Sequence, residues 1–341
     1  MSLDVTSIVT MHGQVYKDSG QGVADLASKF YQKSVTDSVF GIVPTIETVK
    51  HMGKAKADRV LQAFQKVKSR VGGLTISGKE AHLTALKVED SIFPDDVVDT
   101  WAGFLTNLDS NDRTKWPFIK WLLEEHVMPQ SIEDWELLEV YKGTQNTIDV
   151  SGTANAAGKN FIGIRKQINT LITAGTINNS TTVTGAFSSD PKTFVEQIEA
   201  WVRHCKERAA EDRILWESGQ IKEICMSPSN RDLFKEGMGV KYNTNYAQVA
   251  LNHNVNVDDN VTVHNSNIKI MGLPSMIGDN KIWATPQWNK WGFIKRPKSS
   301  KYFEVAPDGT NVREVQYWMD FWKGVGFWMG EYVYTNDLEL V

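Results

Sequence analysis

Gly73-Leu-Thr-Ile-Ser-Gly-Lys79 reproduces the first seven positions of a phosphate-binding P-loop, in which glycine-freed backbone N–H groups cradle phosphates and the lysine reaches the outer ones. Glu80 stands where a Ser or Thr hydroxyl would hold magnesium, and its carboxylate repels phosphate. No helical pattern follows to present an anion-binding N-terminus, so a glycine turn is the expectation. His253, Asp258, Asp259 and His264 could donate to a metal but lack helical or tight-turn ligand spacing, which predicts a polar surface loop. His12, His51, His82, His126 and His204 have no Cys or Ser in a nucleophile context. Glu124 and Glu125 are adjacent, so on a helix they point about 100° apart, poor geometry for shared acid–base work. The expectation is a protein without catalytic residues, cofactor or metal.

Charge carries more information. From Lys50 to Lys79 there are eight Lys/Arg (Lys50, Lys54, Lys56, Arg59, Lys66, Lys68, Arg70, Lys79) against Asp58 alone. From Glu89 to Glu139 the balance inverts, with thirteen Asp/Glu against Arg113, Lys115 and Lys120. A formal net charge of −4 hides both blocks. A basic block alone points to nucleic acid, whereas a basic block followed by an acidic one points to two surfaces that could meet. Two solvated helix faces are the plainer alternative.

The chain that must position these groups has 341 residues, 41% hydrophobic and 23% charged, enough for one large core or two to three smaller modules. Such balance excludes a strongly basic packaging protein and an acidic tail. Residues 1–20 lack a continuous apolar stretch, and no window approaches the roughly 20 apolar residues that span a bilayer, so neither signal peptide nor membrane anchor is expected. Cys205 and Cys225 read as buried small hydrophobes rather than a disulfide framework.

Spacing predicts the elements. The first fifty residues are weakly patterned, with one helical stretch over 23–35. Val60, Phe64, Val67 and Val71 recur at helical spacing, with Lys56, Arg59, Lys66 and Arg70 opposite, which predicts an amphipathic helix over 54–71; alternation in 74–87 predicts extended chain. Pro94, Asp95 and Asp96 open a helix carrying Val97, Trp101, Phe104, Leu105 and Leu108 on one stripe. A second helix is expected over 115–126, ended by Pro129, and a third capped by Ser131. Further helices are expected over 161–172, from Asp190-Pro191 to near Gly219, and over 230–236, closed by Gly237. Strands are expected over 220–226, 314–322 and 331–335. Trp283, Trp288, Trp291, Trp318, Trp322 and Trp328 fall near the C-terminus, where anchoring of strands and interfaces is a simpler role than a stacking platform for sugars or bases.

The order of the final 150 residues resembles a known family. The long helix from Pro191, the Glu223-Ile-Cys-Met-Ser-Pro-Ser-Asn-Arg-Asp-Leu-Phe234 strand and turn, Gly272-Leu-Pro274 and Asp279-Asn-Lys-Ile-Trp-Ala-Thr-Pro286 are similar to the axial domain of tailed-phage major capsid proteins of the Hong Kong 97 type. The resemblance implies an α+β phage major capsid fold: N-terminal arm 1–40, E-loop region 41–93, peripheral domain 94–145, axial domain 146–310 and return strands 311–341. Two departures stand beside it, since the family's E-loop is a hairpin where 54–71 reads as a helix, and its spine helix is unbroken where Pro129 splits the candidate. The function implied is a virion shell protein that assembles with copies of itself into hexamers and pentamers around double-stranded DNA, with portal, scaffold and decoration proteins as further partners. Lys56, Arg59, Lys66 and Arg70 would then meet Asp95, Asp96, Asp99, Glu124 and Glu125 of a neighbour. A nucleic-acid-binding protein that uses 50–79 is the alternative, and a cellular compartment shell of the same fold a third.

Overall fold

A computed structural model describes residues 4–12, 14, 34–57, 61, 63–64, 66, 72–109, 113, 116–145, 154–177, 187–211, 221–242, 261–264, 266–295, 303–309 and 313–336. Helix α1 (Val5–His12) comes first. Next is α2 (Val35–Phe40), where the Ser34 side chain accepts from the Asp37 N–H and left-handed Gly41 (φ 62°) closes the helix. The expected helical stretch over 23–35 lies outside the described residues except at its end. Strands β1 (Val43–Thr45), β2 (Val49–Ala57), β3 (Leu74–His82) and β4 (Thr84–Ile92) follow. Helix α3 (Pro94–Thr106) then starts where Pro94 and the two acids of its first turn predict.

Helix α4 departs from expectation. It runs through Phe118–Trp121, a wide turn Leu122–Val127, Met128–Asp134 and a second wide turn Trp135–Glu139, with helical backbone at every junction. Pro129 does not end it, and Ser131 is not its cap: the Ser131 hydroxyl donates to the Met128 carbonyl at 2.9 Å inside the helix. The physical reason is the wide turn just before the proline. The Met128 N–H reaches back five residues to the Leu123 carbonyl, and such π-type spacing relieves the clash between a proline ring and the carbonyl four residues earlier.

Helices α5 (Ile164–Thr173), α6 (Pro191–Glu211) and α7 (Pro228–Tyr242) flank strands β5 (Glu223–Met226), β6 (Lys269–Gly272), β7 (Trp283–Ala284), β8 (Lys290–Lys295), β9 (Phe303–Pro307), β10 (Val315–Phe327) and β11 (Tyr334–Thr335). Asp190 caps α6 as expected: its carboxylate accepts from the Thr193 N–H at 2.9 Å and its hydroxyl at 2.6 Å, and these bonds hold its pKa below the ordinary value. Gly237 does not close α7, which continues to Tyr242. It sits where α7 crosses α6, and a Cβ there would lie 2.0 Å from the Pro191 carbonyl oxygen. The strand expected over 331–335 begins instead as a tight turn, Gly330–Tyr332, and only Tyr334–Thr335 pairs.

Two sheets result. The five-stranded sheet has the order β1-β8-β10-β4, with β9 also on β10. The alternation of β10 sends Val315, Tyr317, Met319 and Phe321 into a core with α1, α3 and the first half of α4, including Ile8, Trp101, Phe118, Ile119 and Leu122. The four-stranded sheet, β11-β7-β5-β6, packs under α6 and α7 through Phe194, Ile198, Trp201, Ile224 and Phe234. A third cluster joins the sheets: Phe40, Trp135, Tyr141, Ile164, Trp283 and Val325 interlock there. Both cysteines are buried and free, and burial pushes the Cys225 thiol up to about 12.

Candidate functional site

Among the described residues of the basic block, Lys50, Lys54, Lys56 and Lys79 lie on a hairpin, not a helix. β2 pairs antiparallel with β3 from Val49↔His82 to Ala57↔Leu74, which places Lys56 opposite Thr75 and Gly53 opposite Gly78. Beyond the strand, Leu61, Ala63 and Phe64 are non-helical and Lys66 lies in a bend. The helix expected over 54–71 is therefore not formed at 54–57, 61, 63, 64 or 66, because strand pairing with a partner remote in the chain leaves no local signature; Val60, Val67 and Val71 lie outside the described residues. Residues 74–79 of the P-loop-like sequence belong to β3, so their backbone groups serve a β-ladder rather than a phosphate cradle.

The hairpin is held at its root. The Leu83 N–H donates to the Thr48 carbonyl at 2.9 Å, and β10 approaches there closely enough that a Cβ on Gly324 would lie 3.1 Å from the His82 carbonyl oxygen. Glu80 sits between His51 Nδ1 (3.4 Å) and His82 Nε2 (3.2 Å) on the exposed face. Lys66 is exposed, and Phe64 keeps 92% of its surface in solvent. Arg59 and Arg70, like His253, Asp258 and Asp259, lie outside the described residues; His264 stacks on Tyr242 with 4.0 Å between ring centres.

The acidic block divides in two. Asp95, Asp96 and Asp99 are exposed on α3, Glu125 is exposed and Glu124 half-buried on α4, and Glu133 and Asp134 are exposed farther along α4. The two helices meet edge to face through Trp101 and Phe118, and the Trp101 indole donates to the Trp116 carbonyl at 3.2 Å, so these acids share one layer. Glu136 and Glu139 do not belong to that surface. They are buried, and each carboxylate ties a distant segment to α4.

Glu136 accepts from the Ser34 hydroxyl, the Thr36 N–H (3.2 Å) and the Thr36 hydroxyl (2.6 Å), which is also 2.7 Å from Ser275 Oγ. The next residue of α2, Asp37, pairs with Lys323 Nζ at 2.5 Å and accepts from the Trp135 indole at 3.0 Å. Lys323 also lies 4.3 Å from the Trp135 ring centre. Burial lowers the Lys323 pKa against the opposing pull of Asp37 and Glu136. This knot fixes α2 to α4 and β10, and charge composition alone conceals it.

Glu139 is a capping group for a loop. Its carboxylate accepts from the backbone N–H groups of Gly158 (2.9 Å), Asn160 (3.1 Å) and Phe161 (3.1 Å) and from the Asn160 amide (2.6 Å). Glu139→Gln removes the charge and turns an amide N–H₂ toward donors, so a loss of about 3 kcal/mol is expected, the upper part of the range for hydrogen bonds to a charged group. Hydrogen exchange at residues 158–161 checks it: protection there falls while α6 amides keep theirs.

On α4, Pro129, Ile132, Glu133, Leu137 and the edge of the buried Glu136 line a shallow, mainly apolar groove of about 280 Å³. Among the described residues, no group of three or more His, Cys, Asp or Glu is placed to hold a metal ion, and no helix is long and apolar enough to cross a membrane. Trp283 is buried and Trp288 is 43% exposed against Tyr332, so these two rings pack with neighbouring aromatic side chains.

No protein-family model matches the chain, and no curated protein matches it in sequence. Solved structures do match. The chain is similar to a chain of the satellite phage P4 procapsid that includes the size determination protein, with TM-score 0.54, 10% identity, and 93% of this chain and 90% of that one covered. It is likewise similar to a chain from Mycobacterium phage Ogopogo, with TM-score 0.50, 10% identity and coverage of 90% and 92%. The α+β fold is therefore the Hong Kong 97-type capsid fold, reached at an identity that sequence comparison does not detect.

Proposed function

From a fold shared with a phage procapsid chain across 93% of its length, we propose that this protein is the major capsid protein of a tailed double-stranded DNA phage. Its copies assemble into hexamers and pentamers that close an icosahedral head around the genome, with portal, scaffold and decoration proteins as further partners. The observation that carries this proposal is the fold match over nine-tenths of both chains. The exposed hairpin adds support, because a two-stranded ribbon is marginally stable alone in water and gains order from a neighbour.

The contact proposed runs between copies. Lys56, Arg59, Lys66 and Arg70 reach Asp95, Asp96, Asp99, Glu124 and Glu125 of an adjoining subunit, where complementary charge steers encounter and fixes register. Solvated pairs add only about 0–1 kcal/mol each, so the charges select the partner while buried apolar groups supply affinity. Negative-stain microscopy and light scattering of the purified chain are expected to show capsomers, tubes or shells. Reversing the four basic residues to Glu should abolish them while the subunit stays folded. A strict monomer in all salt conditions that binds duplex DNA with a steep salt dependence would replace the proposal with a nucleic-acid-binding role.

A further inference from the structure

We propose that Phe64 is the apolar anchor of this contact and that it seats in the α4 groove of a second copy, between Pro129, Ile132 and Leu137. The proposal rests on the self-assembly described above and adds the residue and cavity that hold the copies together. Phe64 is a large aromatic side chain left 92% exposed at the far end of a hairpin that its own chain grips at the root. Exposed singly, an apolar residue needs no explanation, but at the tip of a projecting ribbon an aromatic ring has the form of an interface anchor.

The groove fits that ring in size and chemistry. A cavity of about 150 Å³ lined by aliphatic side chains accepts benzene, and the groove offers about 280 Å³ with mainly apolar walls. Charge selects the same pairing. The chain around Phe64 carries Arg59, Lys66, Lys68 and Arg70 in sequence, whereas the groove is lined by Glu133, and the exposed Glu125 lies about one turn before Pro129 on the same helix. Lys66, two residues from Phe64, faces an acidic rim once the ring is seated. A second copy is therefore the occupant, since it brings the exposed ring and the basic flank together.

The experiment uses the full chain and singly substituted variants mixed in pairs. Cys205 and Cys225 are buried, so an introduced thiol dominates the chemistry. Phe64→Cys chains mixed with Leu137→Cys chains and oxidised are expected to give a disulfide-linked pair on a non-reducing gel, while each variant alone does not. Phe64→Ala should raise the protein concentration needed for assembly at least tenfold with unchanged thermal unfolding, and Phe64→Leu should restore most of it. Wild-type assembly with no mixed crosslink and no effect of Phe64→Ala overturns the anchor and leaves the capsid assignment standing. A crosslink formed inside a Phe64→Cys/Leu137→Cys double variant but absent from the mixture also overturns it, since the groove then holds its own chain. A wild-type protein that never assembles overturns both.

Discussion

Asp37→Asn is expected to destabilise the protein by about 3–5 kcal/mol, because it leaves the Lys323 ammonium buried without its carboxylate. Lys323 has no exposed surface and Asp37 only 2%, so no water replaces the lost partner. The lowered pKa of Lys323 sharpens the prediction. Burial lowers this pKa while Asp37 raises it, so Asp37→Asn lowers it further, and the cost of the protonated form fades as pH rises from the folded value toward the unfolded one. Lys323→Met in the same chain should therefore recover most of the loss, and the double variant should match or exceed the parent. Urea midpoints of the four proteins give the coupling directly. A double variant no better than Asp37→Asn would show that the Trp135 and Glu136 bonds, rather than the ion pair, hold α2.

Gly237→Val is the second large effect. Glycine within a helix ordinarily costs about 1 kcal/mol relative to alanine, so replacing it should stabilise. At Gly237 the sign reverses: the new Cβ meets Pro191 backbone at 2.0 Å and the Val195 methyl at 2.6 Å, so α6 and α7 must part. A loss of about 3 kcal/mol or more is expected, at the upper end for overpacking. Gly103 is the internal control. It lies within α3, and a methyl group added there would meet nothing within 4 Å, so Gly103→Ala should gain up to about 1 kcal/mol. Thermal unfolding of both variants separates the two cases.

What the sequence made legible was local. Asp190-Pro191 marks the start of α6, Pro94-Asp-Asp the start of α3, and the alternation of Val315, Tyr317, Met319 and Phe321 the central strand, since each signal is complete within a few residues. The errors have one common cause. Pro129 and Gly237 read as terminators because their context lies elsewhere: a wide turn precedes one, and a crossing helix presses on the other. The segment 54–57 pairs with 74–77, a partnership that periodicity does not encode. Glu136 and Glu139 look like members of an acidic face because their donors, Ser34 and Thr36 for one and residues 158–161 for the other, are remote in the chain. Lys66, Asp95, Asp96, Asp99 and Glu125 are exposed, as their charge predicts. The apolar groove on α4 carries no sequence signal, because its lining residues are ordinary helix residues until α4 is seen to continue past Pro129.

The two wide turns of α4 also act on helical phase. Each i→i+5 turn adds about one residue to the usual turn, which offsets everything beyond it by roughly 100° about the axis. Phe118, Ile119 and Leu122 can thus address the five-stranded sheet while Trp135, Val140 and Tyr141 address the cluster between the sheets, although one rod carries both sets. Deleting a single residue within Leu122–Val127 would leave Phe118–Trp121 in place and swing Trp135, Glu136 and Glu139 together away from their partners. The phase set by these wide turns decides which segments the distal carboxylates hold.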